Sequence, residues 1–189
     1  RAGYRIDQSL LAAKTLERAA LLAGELRETR KQVLALLECA TALDWAQEHA
    51  MSAKQVDEAC SLAQVSGLEG DPLVSLRLEL GLGRNALRKG DVAGAITHLE
   101  DAAEGAAAAE DYDSRVVALM LLAPALVMHG ELALAEARFE ELFAMCEPAN
   151  DQLHLCAAYG NRMFLWSARK DPHRARDDLR MAMRLAQHV

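Results

Sequence analysis

A short pattern recurs three times in this chain at intervals of forty residues. The copies occupy residues 90–99, 130–139 and 170–179, and the first reads GDVAGAITHL. In each copy an acidic residue is followed four positions later by alanine, and a large apolar residue follows after four more. These spacings place the three side chains on one face of an α-helix. A fixed period in this range is typical of a stacked repeat array.

The composition favours an all-α fold. Apolar residues make up 52% of the 189 residues, whereas aromatic residues make up only 4%. The core is therefore expected to consist mainly of alanine, leucine, valine and methionine side chains. The composition as a whole, which is also rich in glutamate and arginine, favours helices. The sequence contains no alternation of apolar and polar residues long enough to predict a strand.

Local start and stop signals predict about nine helices. Asp71 and Asp171 each precede a proline, which is the arrangement of an N-cap followed by proline at the first helical position. Gly90 and Gly130 suit helix ends because glycine tolerates a positive φ. The helices are expected near residues 8–26, 28–50, 53–66, 72–89, 92–108, 113–129, 132–146, 150–169 and 172–188.

The second helix of each pair is expected to bury three side chains at spacings of four and three residues. Three such triplets follow the forty-residue interval, and two earlier copies are expected at intervals of thirty-nine and forty residues. The predicted triplets are Leu16, Ala20 and Ala23; Val56, Cys60 and Ala63; Ala95, Leu99 and Ala102; Ala135, Phe139 and Leu142; and Ala175, Leu179 and Ala182.

The second full copy has Leu82-Gly83 in its first helix, Gly90-Asp91 at the turn, and Ala95, Leu99 and Ala102 in its second helix. This pattern resembles the tetratricopeptide repeat family, over roughly residues 37–189. The resemblance implies a right-handed superhelical solenoid of antiparallel helix pairs. The family period is about 34 residues, so the longer interval is more similar to the extended variants of bacterial signalling regulators and kinase-linked sensor regions.

On this basis residues 1–189 are expected to form one helical repeat domain. Residues 1–27 would contribute the second helix of a truncated repeat, and the helix pairs would follow at 28–70, 71–111, 112–149 and 150–189. Because both ends of this array would lack a polar capping helix, we expect the chain to be part of a larger protein.

The resemblance implies a protein–protein interaction or regulatory scaffold module that binds a peptide or protein in a concave groove. The register of the family places the groove on the first helix of each pair. The expected contact residues are Trp45, Arg77, Leu80, Arg84, Arg88, Val117, Met120, Pro124 and Phe164. Arginines there would suit carboxylates, and Met120 with Phe164 would suit an apolar anchor.

Two alternatives remain open: the groove could take a small molecule in a ligand-sensing domain, or uncapped ends could associate in a scaffold. Catalysis is not expected, because the chain has no GxxxxGK[ST], HExxH or GxSxG motif. Six scattered histidines and no calcium-loop pattern predict no metal site, and no cofactor is expected.

The charge and the cysteines indicate which partners and which cellular compartment to expect. The net charge is −7. Although residues 161–189 are basic, no stacking aromatic residue follows position 170, so nucleic acid is not expected as a partner. The four cysteines form no CxxC pair, which favours reduced thiols. The sequence shows no signal peptide and no apolar run of about 20 residues. We therefore expect a cytoplasmic protein without a membrane partner.

Overall fold

A computed structural model describes residues 6–187 of the chain, with side chains from residue 8 onward. The described part is all-α and contains nine helices and no strand. The helices are α1 (Ile6–Glu25), α2 (Thr29–Trp45), α3 (His49–Val65), α4 (Pro72–Lys89), α5 (Val92–Ala108), α6 (Tyr112–His129), α7 (Leu132–Cys146), α8 (Gln152–Ala168) and α9 (Pro172–Leu185).

The expected all-α class is confirmed, and so are the bounds of α4, α5 and α7. The largest difference lies at residues 46–48, where the chain turns although a helix was expected to continue to residue 50. Gln47 adopts a φ of 63° there, and the N–H of Glu48 donates to the carbonyl of Leu43 at 2.9 Å. This hydrogen bond satisfies a free carbonyl at the helix end. No glycine or proline marks the turn, and the sequence prediction therefore missed it.

Aspartate side chains begin most of the later helices. Asp91, Asp111, Asp151 and Asp171 each accept a hydrogen bond from the backbone N–H three residues ahead. Asp71 accepts from two backbone N–H groups at the start of α4. Each carboxylate satisfies a donor that the helix itself leaves free and interacts favourably with the positive end of the helix dipole. The two Asp-Pro starts predicted from the sequence are confirmed.

The repeat interval changes along the chain. The helices α2, α4, α6 and α8 begin at residues 29, 72, 112 and 152, which gives intervals of 43, 40 and 40 residues. The three additional residues lie in the connection between α3 and α4, which spans 66–71, whereas residues 26–28 and 109–111 make the corresponding connections before α2 and α6.

This change of interval corrects one of the predicted core triplets. Counting 43 residues back from α5 places Ser52, Val56 and Ala59 in register with the α5 triplet, and all three are buried. Cys60, which was predicted to be buried, is only half-buried because it lies on the flank of α3. The α5 and α7 triplets are fully buried as predicted. In α9, Leu179 remains 44% exposed.

The chain divides into two compact units, residues 1–85 and 86–189. In the first unit α2 packs against both α1 and α3, and its core joins α2, α3 and α4. Gly81 permits a close approach inside this unit, because a Cβ atom there would lie 2.8 Å from a methyl carbon of Val56. The core residues include Val33, Leu36, Leu37, Ala59, Ala63, Val74 and Leu78.

In the second unit each helix from α5 to α8 packs against the next one, and α6 also packs against α8. Large apolar side chains fill the space between them. The fully buried ones are Leu99, Val116, Leu119, Leu122, Leu126, Phe139, Leu142 and Leu165. The long apolar helix α6 is therefore the centre of this unit, and one of its sides lies next to α8.

Candidate interaction surface

The predicted groove residues fall in both units. In the first unit the arginines are held by carboxylates of α2. Arg77 forms an ion pair with Glu38 at 2.6 Å. The Nε of Arg84 lies 2.9 Å from a carboxylate oxygen of Asp44, and a terminal nitrogen of Arg84 donates to the hydroxyl of Thr41 at 3.0 Å. These arginines therefore connect α4 to α2 within the unit.

Burial separates the other predicted residues of α2 and α4. Leu80 is buried in the core and Arg84 is nearly as deeply buried, so a partner cannot reach either side chain in this structure. Trp45 is 44% exposed, and Arg88 is exposed as well. Only part of the predicted arginine-lined surface is therefore accessible.

In the second unit four of the predicted residues lie on α6 and α8. Val117, Met120 and Pro124 are half-buried on α6, and Phe164 is 61% exposed on α8. Forty residues after the three α6 positions, α8 carries Ala157, Gly160 and Phe164. We call these six residues the apolar strip: Val117, Met120, Pro124, Ala157, Gly160 and Phe164.

The apolar strip is open at Gly160. A Cβ atom built on this glycine would meet no other atom within 4 Å, so space is open above the helix there. At the edge of the strip the side-chain amide of Asn161 donates to the sulfur of Met120 at 3.5 Å. No member of the strip carries a charge. An apolar surface of this kind is typical of sites that contact apolar side chains.

A partly buried polar cluster between α7, α8 and α9 was not predicted from the sequence. Arg162 donates two hydrogen bonds of 2.8 Å to the carboxylate of Asp178 and a third of 2.8 Å to Glu140. The indole of Trp166 donates to the same Asp178 carboxylate at 2.7 Å. Burial opposes the charge on Arg162, but the carboxylates outweigh it and raise its pKa.

Aromatic rings complete the surroundings of Arg162. Its guanidinium lies 4.3 Å from the ring centroid of Phe143 and 5.4 Å from that of Tyr159, and the two rings are 4.5 Å apart. These distances are suitable for cation–π attraction. No spacing rule could have revealed the cluster, because its members belong to three different helices.

Other basic residues near the C-terminal end also have partners inside the second unit. Arg169 pairs with Glu136 and donates to the carbonyl of Leu132 at 3.1 Å. The Arg174 guanidinium lies 4.8 Å from the ring of Trp166. Much of the positive charge is thus used in internal contacts.

The cysteines are free thiols in the described residues. Cys39 donates a hydrogen bond to the carbonyl of Ala13 at 3.3 Å, and its burial, together with the charge of Glu17, raises its pKa to about 11. Burial also raises the pKa of Cys146. Both groups are therefore protonated near neutral pH and poor nucleophiles.

The described helices bear on two further properties, metal binding and membrane insertion. Within residues 6–187 no group of three or more histidine, cysteine, aspartate or glutamate side chains could hold a metal ion. In the same range α6 is long and apolar enough to cross a bilayer, with a mean hydropathy of 1.2. Buried core helices meet the same criteria, and α6 packs against α5, α7 and α8. The cytoplasmic location stays a prediction.

The sequence matches no protein-family model and no curated protein. The resemblance to tetratricopeptide repeats therefore stays a prediction from the residues quoted above.

Proposed function

We propose that the chain is a protein–protein interaction module that acts as a regulatory scaffold and binds a peptide or protein segment on the apolar strip. The observation that carries the proposal is the large exposure of Phe164 beside the open space above Gly160. An aromatic side chain of this size is costly to expose to water, and phenylalanine is enriched in protein interfaces.

The chemistry of the strip favours an apolar segment as partner. Val117, Met120 and Pro124 offer a flexible thioether and apolar carbon atoms, which adapt to aliphatic or aromatic side chains. An amphipathic helix that places its apolar face along α6 and α8 would satisfy this surface. Arg77 and Arg84 are already paired with carboxylates of α2, which leaves them less suited to bind an acidic partner.

The helix order supports a wider proposal about architecture and origin. Helices of similar length alternate with short connections, and corresponding helices begin at intervals of 43, 40 and 40 residues. We propose a right-handed superhelical solenoid of the tetratricopeptide kind, from a bacterial signalling protein. In such a protein the chain would bind and would not catalyse.

Selection of peptides by the whole chain tests the proposed binding surface. A phage-displayed library of helical peptides is selected on the unaltered protein, and selected peptides are measured by fluorescence anisotropy. Phe164→Asp is expected to weaken binding at least about tenfold, equivalent to about 1.4 kcal/mol. Leu134→Asp is the matched control, since Leu134 is also exposed but lies on α7. Equal affinity of both variants would exclude the strip.

A second candidate function is self-association through α9. Leu179 and Met183 are large apolar residues that remain exposed on this helix. A second copy of the chain could cover them. Sedimentation over a wide concentration range tests the idea: the double variant Leu179→Asp, Met183→Asp should remove a concentration-dependent dimer, whereas a monomer at all concentrations contradicts it.

A further inference from the structure

The first unit contains a cavity of about 320 Å³ between α1, α2 and α3. Its floor is formed by the buried residues Ala13, Cys39 and Leu43. Leu10 and Met51 stand at its rim and are exposed. The volume is at the lower end of the range of small-molecule sites, about 300–1,000 Å³. This cavity is separate from the apolar strip, whose residues all belong to the second unit.

The cavity exists partly because a small residue occupies a position that other repeats fill. By the intervals between helix starts, Cys39 in α2 corresponds to Leu82 in α4 and Leu122 in α6. A thiol group is smaller than an isobutyl group, and Ala13 opposite it adds only a methyl group. The contact between the sulfur of Cys39 and the carbonyl of Ala13 fixes this short pair in place.

A polar side chain in the cavity wall has an unused acceptor. Gln55 is only 8% exposed, and its carboxamide oxygen is buried without a hydrogen-bond partner among the described residues. A buried acceptor without a partner is unfavourable, because it has lost its hydrogen bonds to water. A ligand that brings an N–H group would remove this cost after a small rotation of the side chain.

The charges at the cavity favour a cation over an anion. Glu17 and Glu48 line it together with a single base, Lys14. The influence of Glu17 extends to the floor, since its charge contributes to the raised pKa of Cys39. An ammonium group would be attracted to these carboxylates, whereas a carboxylate ligand would be repelled.

We propose that this cavity binds a small primary aliphatic amine. The alkyl chain would lie against Ala13, Leu43 and Met51, where it leaves water. The ammonium group would donate to the carboxamide oxygen of Gln55 and lie near Glu17 and Glu48. Binding is non-covalent, and the thiol of Cys39 contributes only to the apolar floor.

Three probes of equal chain length separate the alternatives. Hexylamine, 1-hexanol and hexanoate are titrated into the full chain by calorimetry near neutral pH. We expect hexylamine to bind at least about tenfold more tightly than hexanoate, with 1-hexanol between them. Equal affinity of all three probes would overturn the proposal, since it would indicate an apolar void without preference for an amine, and so would the absence of binding.

Methyl NMR locates the bound probe. Met51 is the methionine that lines the cavity, out of seven in the chain. Hexylamine should shift the Met51 methyl signal and leave those of Met120 and Met183 unchanged. A shift confined to other methionines would overturn the assignment to this cavity.

Substitutions test each part of the site. Ala13→Leu should fill the cavity and weaken hexylamine binding at least about tenfold, and Ala13→Val should weaken it less and provides the test if the leucine variant does not fold. Ala107→Leu, on an exposed position of α5, is the control. Unchanged binding by a folded Ala13 variant would contradict the proposal.

The charge preference is tested separately. The double variant Glu17→Gln, Glu48→Gln should remove most of the preference for hexylamine over 1-hexanol while 1-hexanol still binds. Glu58→Gln, an exposed glutamate of α3 outside the cavity wall, should keep the preference. An unaltered preference in the double variant would show that the carboxylates do not select the ligand.

Discussion

Each unit holds an arginine with little solvent exposure on the first helix of a pair, but the surroundings of the two arginines differ. In the first unit Arg84 contacts Asp44 and Thr41, both from α2. In the second unit Arg162 contacts Asp178 and Glu140, from α9 and α7, and lies over aromatic rings. Arg162 thus joins three helices where Arg84 joins two.

The positions of the two arginines in the repeat also differ. Counted by intervals of forty residues, Arg84 corresponds to Pro124 and to Phe164, two members of the apolar strip. Arg162 corresponds instead to Leu122, which is fully buried. The repeat therefore accepts arginine at two kinds of position. The position of Arg84 is exposed in another copy, and the position of Arg162 belongs to the core in another copy. In both cases a carboxylate accompanies the arginine.

Such pairs specify contacts more than they stabilise the fold. Removing two charges from water offsets much of their attraction, but the loss of one partner leaves the other charge buried and unpaired. We therefore expect large effects from single deletions, and a larger effect where one carboxylate accepts more hydrogen bonds.

The largest effect is expected for Asp178→Ala. This change removes the acceptor of two Arg162 hydrogen bonds and of the Trp166 indole, and it should lower the free energy of unfolding of the second unit by about 3–5 kcal/mol. Urea denaturation followed by Trp166 fluorescence in a Trp45→Phe background measures it. The neighbouring Asp177 is well exposed, so Asp177→Ala should change stability by less than about 0.5 kcal/mol.

A smaller loss is expected for Asp44→Ala in the first unit. Arg84 would lose a charged partner but keep its hydrogen bond to Thr41, and the cost should be about 1.5–3 kcal/mol. Hydrogen exchange of peptides from α2 and α4 measures the change, with the exposed Asp57→Ala as control. If Asp44→Ala destabilises its unit more than Asp178→Ala destabilises the other, the number of hydrogen bonds that a carboxylate accepts does not determine how much stability is lost with it.

A deletion tests whether the 43-residue interval is confined to one connection. Removal of residues 68–70 would leave Ser66, Gly67 and Asp71, which match the connection Ala109, Glu110 and Asp111 before α6. Gly67 already has a φ of 66°, close to the 53° of Glu110. We expect the first unit to fold with a loss of about 1.5 kcal/mol, from the partly buried Leu68. Thermal unfolding measures it, and an unfolded unit would mean that the longer connection is essential.

The smallest effect concerns acid sensitivity at the start of α8. Burial alone would raise the pKa of Asp151, but hydrogen bonds from His154 and Tyr112 lower it overall. A folded pKa below the unfolded value, about 3.9, gives stability that is present above that pH and is lost as the pH falls through the folded pKa. Asp151→Asn should remove this dependence and cost about 1 kcal/mol near neutral pH.

Urea denaturation of the second unit at pH values from neutral to acidic checks this expectation. A variant that loses stability on acidification as steeply as the unaltered chain would show that other carboxylates control the acid response.

Several elements of the fold could be predicted because their causes are local. Asp71 and Asp171 before proline, and the glycines at 90 and 130, fix helix ends through the chemistry of a few neighbouring residues. The turn at Gln47 could not be predicted, because a residue without glycine's freedom takes a positive φ there. Its hydrogen bonds to carbonyls at the end of α2 satisfy groups that the helix leaves free.

The predicted contact residues show the same division. Spacing predicts Met120 and Pro124 on one face of α6, and both are half-buried. It could not show that Leu80 is buried or that Arg84 is paired with Asp44. Burial depends on which neighbouring helix covers a face, and this neighbour is distant in the chain. The cavity at Cys39 was likewise hidden, since its walls come from three helices.

The sequence by itself determined the helical class, most helix ends and the approximate repeat interval, because caps, glycines and apolar spacing act within one or two helical turns. Only the tertiary structure decided which charges are paired, which apolar side chains remain exposed and where three additional residues lengthen a connection. These properties depend on the packing of side chains that are 16 to 43 residues apart, a distance over which no local pattern fixes the contact.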